Sequence, residues 1–483
     1  MISPFFRASL ISLASLMSLV ACSEESSPEE RETPDVQRSG DALRGRDLLV
    51  NNGTPEAPYL NCGIPAKIWD LTKGIFANVP KLEGRNADNA ELPYFMSAAT
   101  TPSGVKVVTT NCLFCHAASL GGSVILGLGD ANRSFAGEGL LGISGDVLSR
   151  LAPTLTEEEK RELDRFISRL DAIAPFTRTD TVGMNPADQL FGGLAAHRDR
   201  VTLEWSETAD PKALANEILG IFTDVPPYWN MYRRDRMFYS GFGRGDHARI
   251  MMSSSLLCMN DASEAVAIDA YFPDIEAYIL SLRAPSYESV SGKTIDSARA
   301  SRGRSIYTET CQRCHGARHG EGAALRAFVP IAEIGTDPAY AESTARGSTR
   351  NSAVEYYYDF FNASWMGTYG AKGRLAPNDE PGYSPPPLDG IWATAPYFHN
   401  GSVPTLQAVL DPPQRPRIFR RSTSPDSYAF ESPGWPFEEV AEKADDVSVY
   451  DTTRVGNGNT GHTFAAHLNS DERLDLIEYL KTF

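Results

Sequence analysis

Two pentapeptides constrain this chain more than any other feature: Cys112-Leu113-Phe114-Cys115-His116 and Cys311-Gln312-Arg313-Cys314-His315. Both read Cys-x-x-Cys-His. Thiols three residues apart fall on one face of a helical turn. There each can bond one vinyl group of the same porphyrin, and the adjacent imidazole can reach its iron from below. The same spacing serves redox dithiols and half zinc sites in cytosolic chains. A duplicated motif in an exported chain favours two covalently bound haem c groups instead. They are attached through Cys112, Cys115, Cys311 and Cys314, with His116 and His315 as proximal iron ligands.

Export is read from the N-terminus. Arg7 precedes an apolar run, Ala8 to Ala21, which is shorter than a membrane span of about 20 residues and has signal-peptide proportions. It ends in Leu19-Val20-Ala21-Cys22, which resembles the lipobox of bacterial lipoproteins, cut before a cysteine that is then acylated; an ordinary secretory cleavage site is the alternative. Residues 1–21 are therefore expected to be a lipoprotein signal and 22–40, rich in Glu, Ser and Pro, a flexible tether. Such a protein is periplasmic or cell-envelope, anchored through Cys22, with the outer membrane as the expected site. Of the seven cysteines, only Cys62 and Cys258 are then left over. An oxidising compartment allows them to pair, and two buried free thiols are the alternative. The net charge of −17 lacks the basic face that nucleic acid requires and disfavours electrostatic adhesion to anionic lipid. An acidic surface can dock a basic electron donor.

A weak repeat organises the chain. Ala42-Leu43-Arg44-Gly45-Arg46 and Ala300-Ser301-Arg302-Gly303-Arg304 share Ala-x-Arg-Gly-Arg, each in a short helix upstream of a motif. Each half closes with an amphipathic helix: Phe272 to Leu282, with Ile275, Tyr278, Ile279 and Leu282 at helical spacing, and Ser470 to Phe483, with Leu474, Ile477 and Leu480 after an Asn469/Ser470 cap. The polar stretch Ala284 to Gly292 separates a first domain, 41–286, from a second, 287–483. The first is swollen by an insert between His116 and Phe272 that carries a helix, Leu155 to Ala172, opened by Thr156-Glu157-Glu158-Glu159. Glycines between Gly121 and Gly145 read as turns. Strand signals are sparse, so the fold class expected is mainly α: two cytochrome c-like haem domains with long loops and few strands. The longest loop, Gly373 to Pro416, is expected to wrap something.

Sixth iron ligands decide between electron transfer and binding of a small oxidant. Besides the proximal pair, the histidines are His197, His247, His319, His399, His462 and His467. His462, in a Gly-rich loop just before the closing helix, is the first choice for the second haem; Met366 is its competitor. For the first haem no ligand stands out. Met184 lies in a loop and could close the site, but a packing role suits it better. His247 suits a ligand, a distal acid/base or a structural role held by Asp246. The first haem is read as open.

The segment Pro386-Pro387-Leu388-Asp389-Gly390-Ile391-Trp392-Ala393-Thr394-Ala395-Pro396-Tyr397-Phe398-His399-Asn400-Gly401-Ser402 resembles the stretch after the second haem in dihaem cytochrome c peroxidases. It also resembles that stretch in the dihaem enzyme that matures methylamine dehydrogenase. With Asp224-Val225-Pro226-Pro227-Tyr228-Trp229, Arg244-Gly245-Asp246-His247-Ala248-Arg249 and the late Gly-His loop, the resemblance is greatest to the bacterial dihaem rubber oxygenases. It implies that a C-terminal histidine, matching His462, ligates the second haem, because the peroxidase methionine is absent from Tyr397-Phe398-His399. It implies an open first haem under an apolar distal pocket, for which Trp229 and Phe242 are candidates beside His247. The function expected is a redox enzyme acting on peroxide or dioxygen, supplied with electrons by a partner protein or small donor. A pure electron carrier with both irons six-coordinate, through Met184 and Met366, is the alternative. The chain is shorter than the rubber oxygenases and carries an anchor motif, which sets a polymer substrate in doubt.

Overall fold

Helix α1, Ala42–Val50, starts where Asp41 accepts hydrogen bonds from the backbone of Leu43 and Arg44. Helix α2, Glu157–Thr177, opens with a capping box between Thr156 and Glu159 and buries Leu163, Phe166, Ile173 and Phe176 on one stripe. It runs past the expected end at Ala172 and through Pro175, because the last turn is anchored by the buried Phe176. Next come α3, Ala187–Ala196, and α4, Phe272–Ser281. The second half holds α5, Ser297–Thr310, α6, Ser352–Ala363, and α7, Ser470–Leu480, the last opened by an Asn469/Glu472 capping box. In α7 the buried residues include Leu476, Ile477 and Leu480, whereas Leu474, expected inside, is exposed. This computed structural model describes residues 40–135, 145–214, 220–244, 247–318, 324–347, 352–368 and 374–483. The signal segment, Cys22, nearly all of the tether, and His319, Gly245 and Asp246 lie outside them.

Two helix crossings frame the molecule, α1 on α4 and α5 on α7. They explain the repeat. A Cβ on Gly45 would lie 1.8 Å from the Asp274 carbonyl oxygen, and one on Gly303 would lie 2.0 Å from that of Asp475. Each glycine lets the closing helix touch backbone. The preceding arginine then pairs with the same aspartate: Arg44 with Asp274 at 2.5 Å and Arg302 with Asp475 at 2.6 Å. Behind the second crossing Tyr307, Leu476, Ile477 and Leu480 are buried, each worth roughly 1.5–3 kcal/mol on removal from water.

The halves differ upstream of the motifs. Helix α5 runs almost directly into Cys311, as expected. In the first half residues 51–111 intervene, and the chain enters the motif from a strand. Lys106–Thr110 is central in an antiparallel sheet, flanked by Ile64–Pro65 and Met96–Thr100. Its β-branched run, Val107-Val108-Thr109-Thr110, is the strand signal. After the motif, Ala117–Leu120 and Ser123–Leu126 form a hairpin turning on Gly121 and Gly122, both at positive φ. The small sheets are more numerous than the sparse signals suggested, and all are short.

The described residues from 40 to 483 form one compact unit. Helix α6, from the second half of the sequence, packs on α3 of the first, and its Tyr357, Phe360 and Phe361 share a core with Leu194 and Phe242. Cys62 and Cys258 are joined as a disulfide, Cα–Cα 5.1 Å, as the leftover-cysteine argument anticipated. Among the described residues no helix is long and apolar enough to cross a membrane.

Candidate functional site

At the first motif Asn111 does the positioning. Its amide donates to the Tyr94 carbonyl at 3.1 Å and the Ser97 hydroxyl at 2.9 Å, and its Oδ1 accepts from the Leu113 backbone at 2.9 Å. The Leu113–His116 turn is thereby capped onto the sheet. His116 turns its Nδ1 to the Pro226 carbonyl at 3.2 Å and stacks its ring on Tyr228 at 3.8 Å. Burial pushes the His116 imidazole down to about 4, leaving it neutral, the form that binds a metal. The same burial drives the Cys112 thiol up to about 11 and Cys115 to about 12. A redox dithiol relies on a lowered thiol pKa, the opposite of the direction here. The site suits thiols that are consumed by a covalent bond.

The second motif repeats the arrangement. His315 turns Nδ1 to the Pro386 carbonyl at 2.8 Å. A hydrogen bond from the rear nitrogen to a carbonyl fixes the tautomer and aims the other nitrogen forward, as in metal-bound histidines. Forward of His315 lies His462, ring centroids 6.1 Å apart and planes at 63°. Two imidazoles bonded to one metal at about 2 Å from opposite sides have centroids at roughly this separation. Both rings line a cavity walled by Phe398, Leu406, Val409, Leu410, Phe464 and Leu480. Burial holds both imidazoles below their ordinary value, His462 at about 3. The Cys311 thiol is pushed up to about 12, also by burial. Neutral facing imidazoles, paired cysteines and apolar walls fit a covalently attached haem. Among the described residues no group of three or more His, Cys, Asp or Glu could hold a bare metal ion.

The late Gly-His loop is held by residues that the motif search passed over. Arg415 donates to the carbonyls of Asn459 at 2.8 Å, Gly461 at 2.7 Å and His462 at 3.3 Å. Asn400 donates to those of Gly456 and Gly458, and Asp337 accepts from the Gly458 backbone at 2.9 Å. Gly461, at φ +72°, presses on Gly335 so closely that a Cβ would lie 2.1 Å from its carbonyl carbon. His462 itself sits at φ +44°, an uncommon conformation that the surrounding bonds enforce. The Pro-Pro pairs at Pro226 and Pro386 are the missed repeat: identical in role, too short to register as one.

The other candidates go elsewhere. Trp229 is fully buried and donates its indole N–H to the Asp389 carbonyl at 2.8 Å. It therefore lies on the His116 side that faces the second motif. Phe242 stacks on Phe238 at 4.1 Å within the first core. His247 is buried, Nε2 3.3 Å from the Asp235 carbonyl and Nδ1 3.9 Å from Glu276. Met366 packs in the first core, its carbonyl accepting from Arg249 at 3.1 Å, and does not line the cavity of His315. Met184 clusters with Phe222, Phe419 and Tyr450. His399 lies in the cavity wall 2.9 Å from the Tyr383 hydroxyl, which also bonds the Asp337 carbonyl at 2.7 Å. A carbonyl only accepts, so the phenol donates to it and His399 donates to the phenol. His197 stacks on Trp205 at 4.8 Å, and His467 is exposed.

The paired cysteines, buried imidazoles and family matches together point to a haem redox protein with cytochrome c domains and covalently bound haem c. Residues 382–420 match the family described as RoxA-like, cytochrome c-like, and residues 298–354 match cytochrome c oxidase, cbb3-type, subunit III. Both matches are to cytochrome c domains, each over a short part of the chain. Two uncharacterized proteins of Sinorhizobium fredii (strain NBRC 101917 / NGR234) are similar to it. Protein y4iJ is 30% identical over 44% of this chain and 43% of its own length, and y4iM is 27% identical over 54% and 64%. The chain thus aligns with less than two thirds of either relative. A crystal structure of a MauG-like protein associated with microbial copper homeostasis is matched over 54% of this chain and 72% of its own, at 18% identity and a TM-score of 0.29. That likeness is too loose to bear on the fold.

Proposed function

We propose that this protein is an exported dihaem redox enzyme of peroxidase or oxygenase type, with an open haem on Cys112, Cys115 and His116. The haem on Cys311, Cys314 and His315 is closed by His462. An open haem iron binds peroxide or dioxygen, whereas one held by two imidazoles exchanges electrons. The observation that carries the reading is an asymmetry between the motifs. His315 faces a second imidazole at 6.1 Å, while the described ring partner of His116 is Tyr228. His197, His247 and His399 are each engaged with other groups.

The chain itself supplies the coupling between the two sites. Tyr228 and Trp229 follow the carbonyl that holds His116, and the Trp229 indole bonds the Asp389 carbonyl, three residues beyond the one that holds His315. Tyr228 and Trp229 at its centre are buried, while Pro226, Pro386 and Asp389 are half-buried. Export and a lipid anchor at Cys22 are part of the proposal, supported by the Cys62–Cys258 disulfide, which belongs to an oxidising compartment. The electron donor is a redox partner protein or small reductant.

The test is the electron paramagnetic resonance spectrum of the oxidised protein with and without cyanide. A high-spin ferric signal that cyanide converts to low-spin is expected beside one low-spin signal that cyanide leaves alone. Two low-spin signals unmoved by cyanide, in oxidised and half-reduced protein alike, would instead identify an electron carrier.

A further inference from the structure

We propose that Arg234, with Thr336, holds the propionate carboxylates of the second haem, so that this edge of the porphyrin faces the segment joining the two motif sites. The inference rests on the haem reading of the Cys311–His315 cavity. Arg234 ends the short turn that begins at Tyr228 and lines the cavity shared by His315 and His462. Its Nη2 donates to the Phe238 carbonyl at 2.8 Å, but its Nε is buried without a partner. No carboxylate among the described residues bonds its guanidinium. Thr336, next to the glycine against which the His462 loop is pressed, lines the same cavity with a buried hydroxyl that bonds nothing. The Asn230 amide on the same wall has an unpartnered oxygen; turned over, it presents its NH2 group.

Buried polar groups are almost always hydrogen-bonded, and the buried Arg234 Nε and Thr336 hydroxyl are not. Unsatisfied donors from two distant stretches of chain, on the walls of one cavity, call for an anionic acceptor inside it. A second observation gives the orientation. Cys311 packs against the core that contains Leu406, Leu410 and Leu480, whereas Tyr239 and Tyr383, which line the cavity with Arg234, belong to a separate cluster. Thioether bonds fix the vinyl edge of a c-type haem at the cysteines. Its carboxylates then point away from them, towards Arg234. A guanidinium there offers charge and directed N–H groups, the combination that recognises carboxylate.

The experiment uses the purified holoprotein and the variants Arg234→Gln, Arg234→Lys and Thr336→Val. Attached haem is counted by the pyridine haemochrome assay, and the midpoint potential of each haem is followed by spectroelectrochemistry. In Arg234→Gln the low-spin haem should shift to a lower potential, because a lost positive charge stabilises its ferric form, while the other haem keeps its value. Arg234→Lys should restore most of the shift. Thr336→Val should displace the propionate bending band of the same haem in resonance Raman spectra. Wild-type potentials and an unmoved band in Arg234→Gln and Thr336→Val, each carrying both haems, would overturn the inference and leave the haem reading intact. Wild-type protein with no haem on Cys311 and Cys314 would overturn the haem reading itself.

Discussion

His462 shows how much a single position depends on its surroundings. Its positive φ is uncommon outside glycine, although histidine adopts it more readily than most side chains, and it persists because Arg415, Asn400 and Asp337 tie the loop at several carbonyls and amides. Replacing His462 with Ala should convert the low-spin haem to high-spin, read in absorption and paramagnetic resonance spectra; an unchanged spectrum would remove His462 from the iron. Arg415 should act through position alone. Its guanidinium, lowered to about 10 by burial, stays charged at neutral pH. Arg415→Gln should leave His462 as ligand while broadening the low-spin signal, as the loop samples more orientations.

At the scale of elements the two crossings carry the argument. Gly303 has no room for a methyl group, since the clash is with helix backbone. Gly303→Ala should therefore cost about 1–3 kcal/mol, measured by chemical denaturation, and Gly45→Ala should behave alike. The arginine–aspartate pair adds a pH dependence. Hydrogen bonds from Arg302 hold the Asp475 carboxyl below its ordinary range. A depressed carboxylate contributes stability that is fully present above its unfolded value of about 3.9 and is lost as pH falls through the lowered folded value. Asp475→Asn should flatten that part of the acid-unfolding curve; a curve identical to wild type would show that the pair contributes nothing there.

At the scale of the molecule the disulfide closes a loop of sequence separation 196 between the sheet that feeds the first motif and the turn after Met252–Leu257. Removing both cysteines as Cys62→Ala/Cys258→Ala should lower stability by about 2–5 kcal/mol, seen as an earlier denaturation midpoint, with haem spectra unchanged. Both motifs, the helix frames and the caps of α2 and α7 were legible in the sequence, because each depends on neighbours within a few residues or on a chemical signature of fixed spacing. Other features needed the fold. The carbonyls of Pro226 and Pro386 carry no side-chain signal, yet they aim both histidines. Trp229 and Met366 read as plausible haem neighbours until packing assigned one to the space between the motifs and the other to the first core. Helix α6 crosses into the half of the molecule that its place in the chain did not suggest. By itself the sequence pointed to covalently bound haem c and proposed where it attaches, since cysteine and histidine chemistry is local. Only the tertiary structure decided which imidazole faces which, and what lies between the sites, because those contacts join residues more than a hundred positions apart.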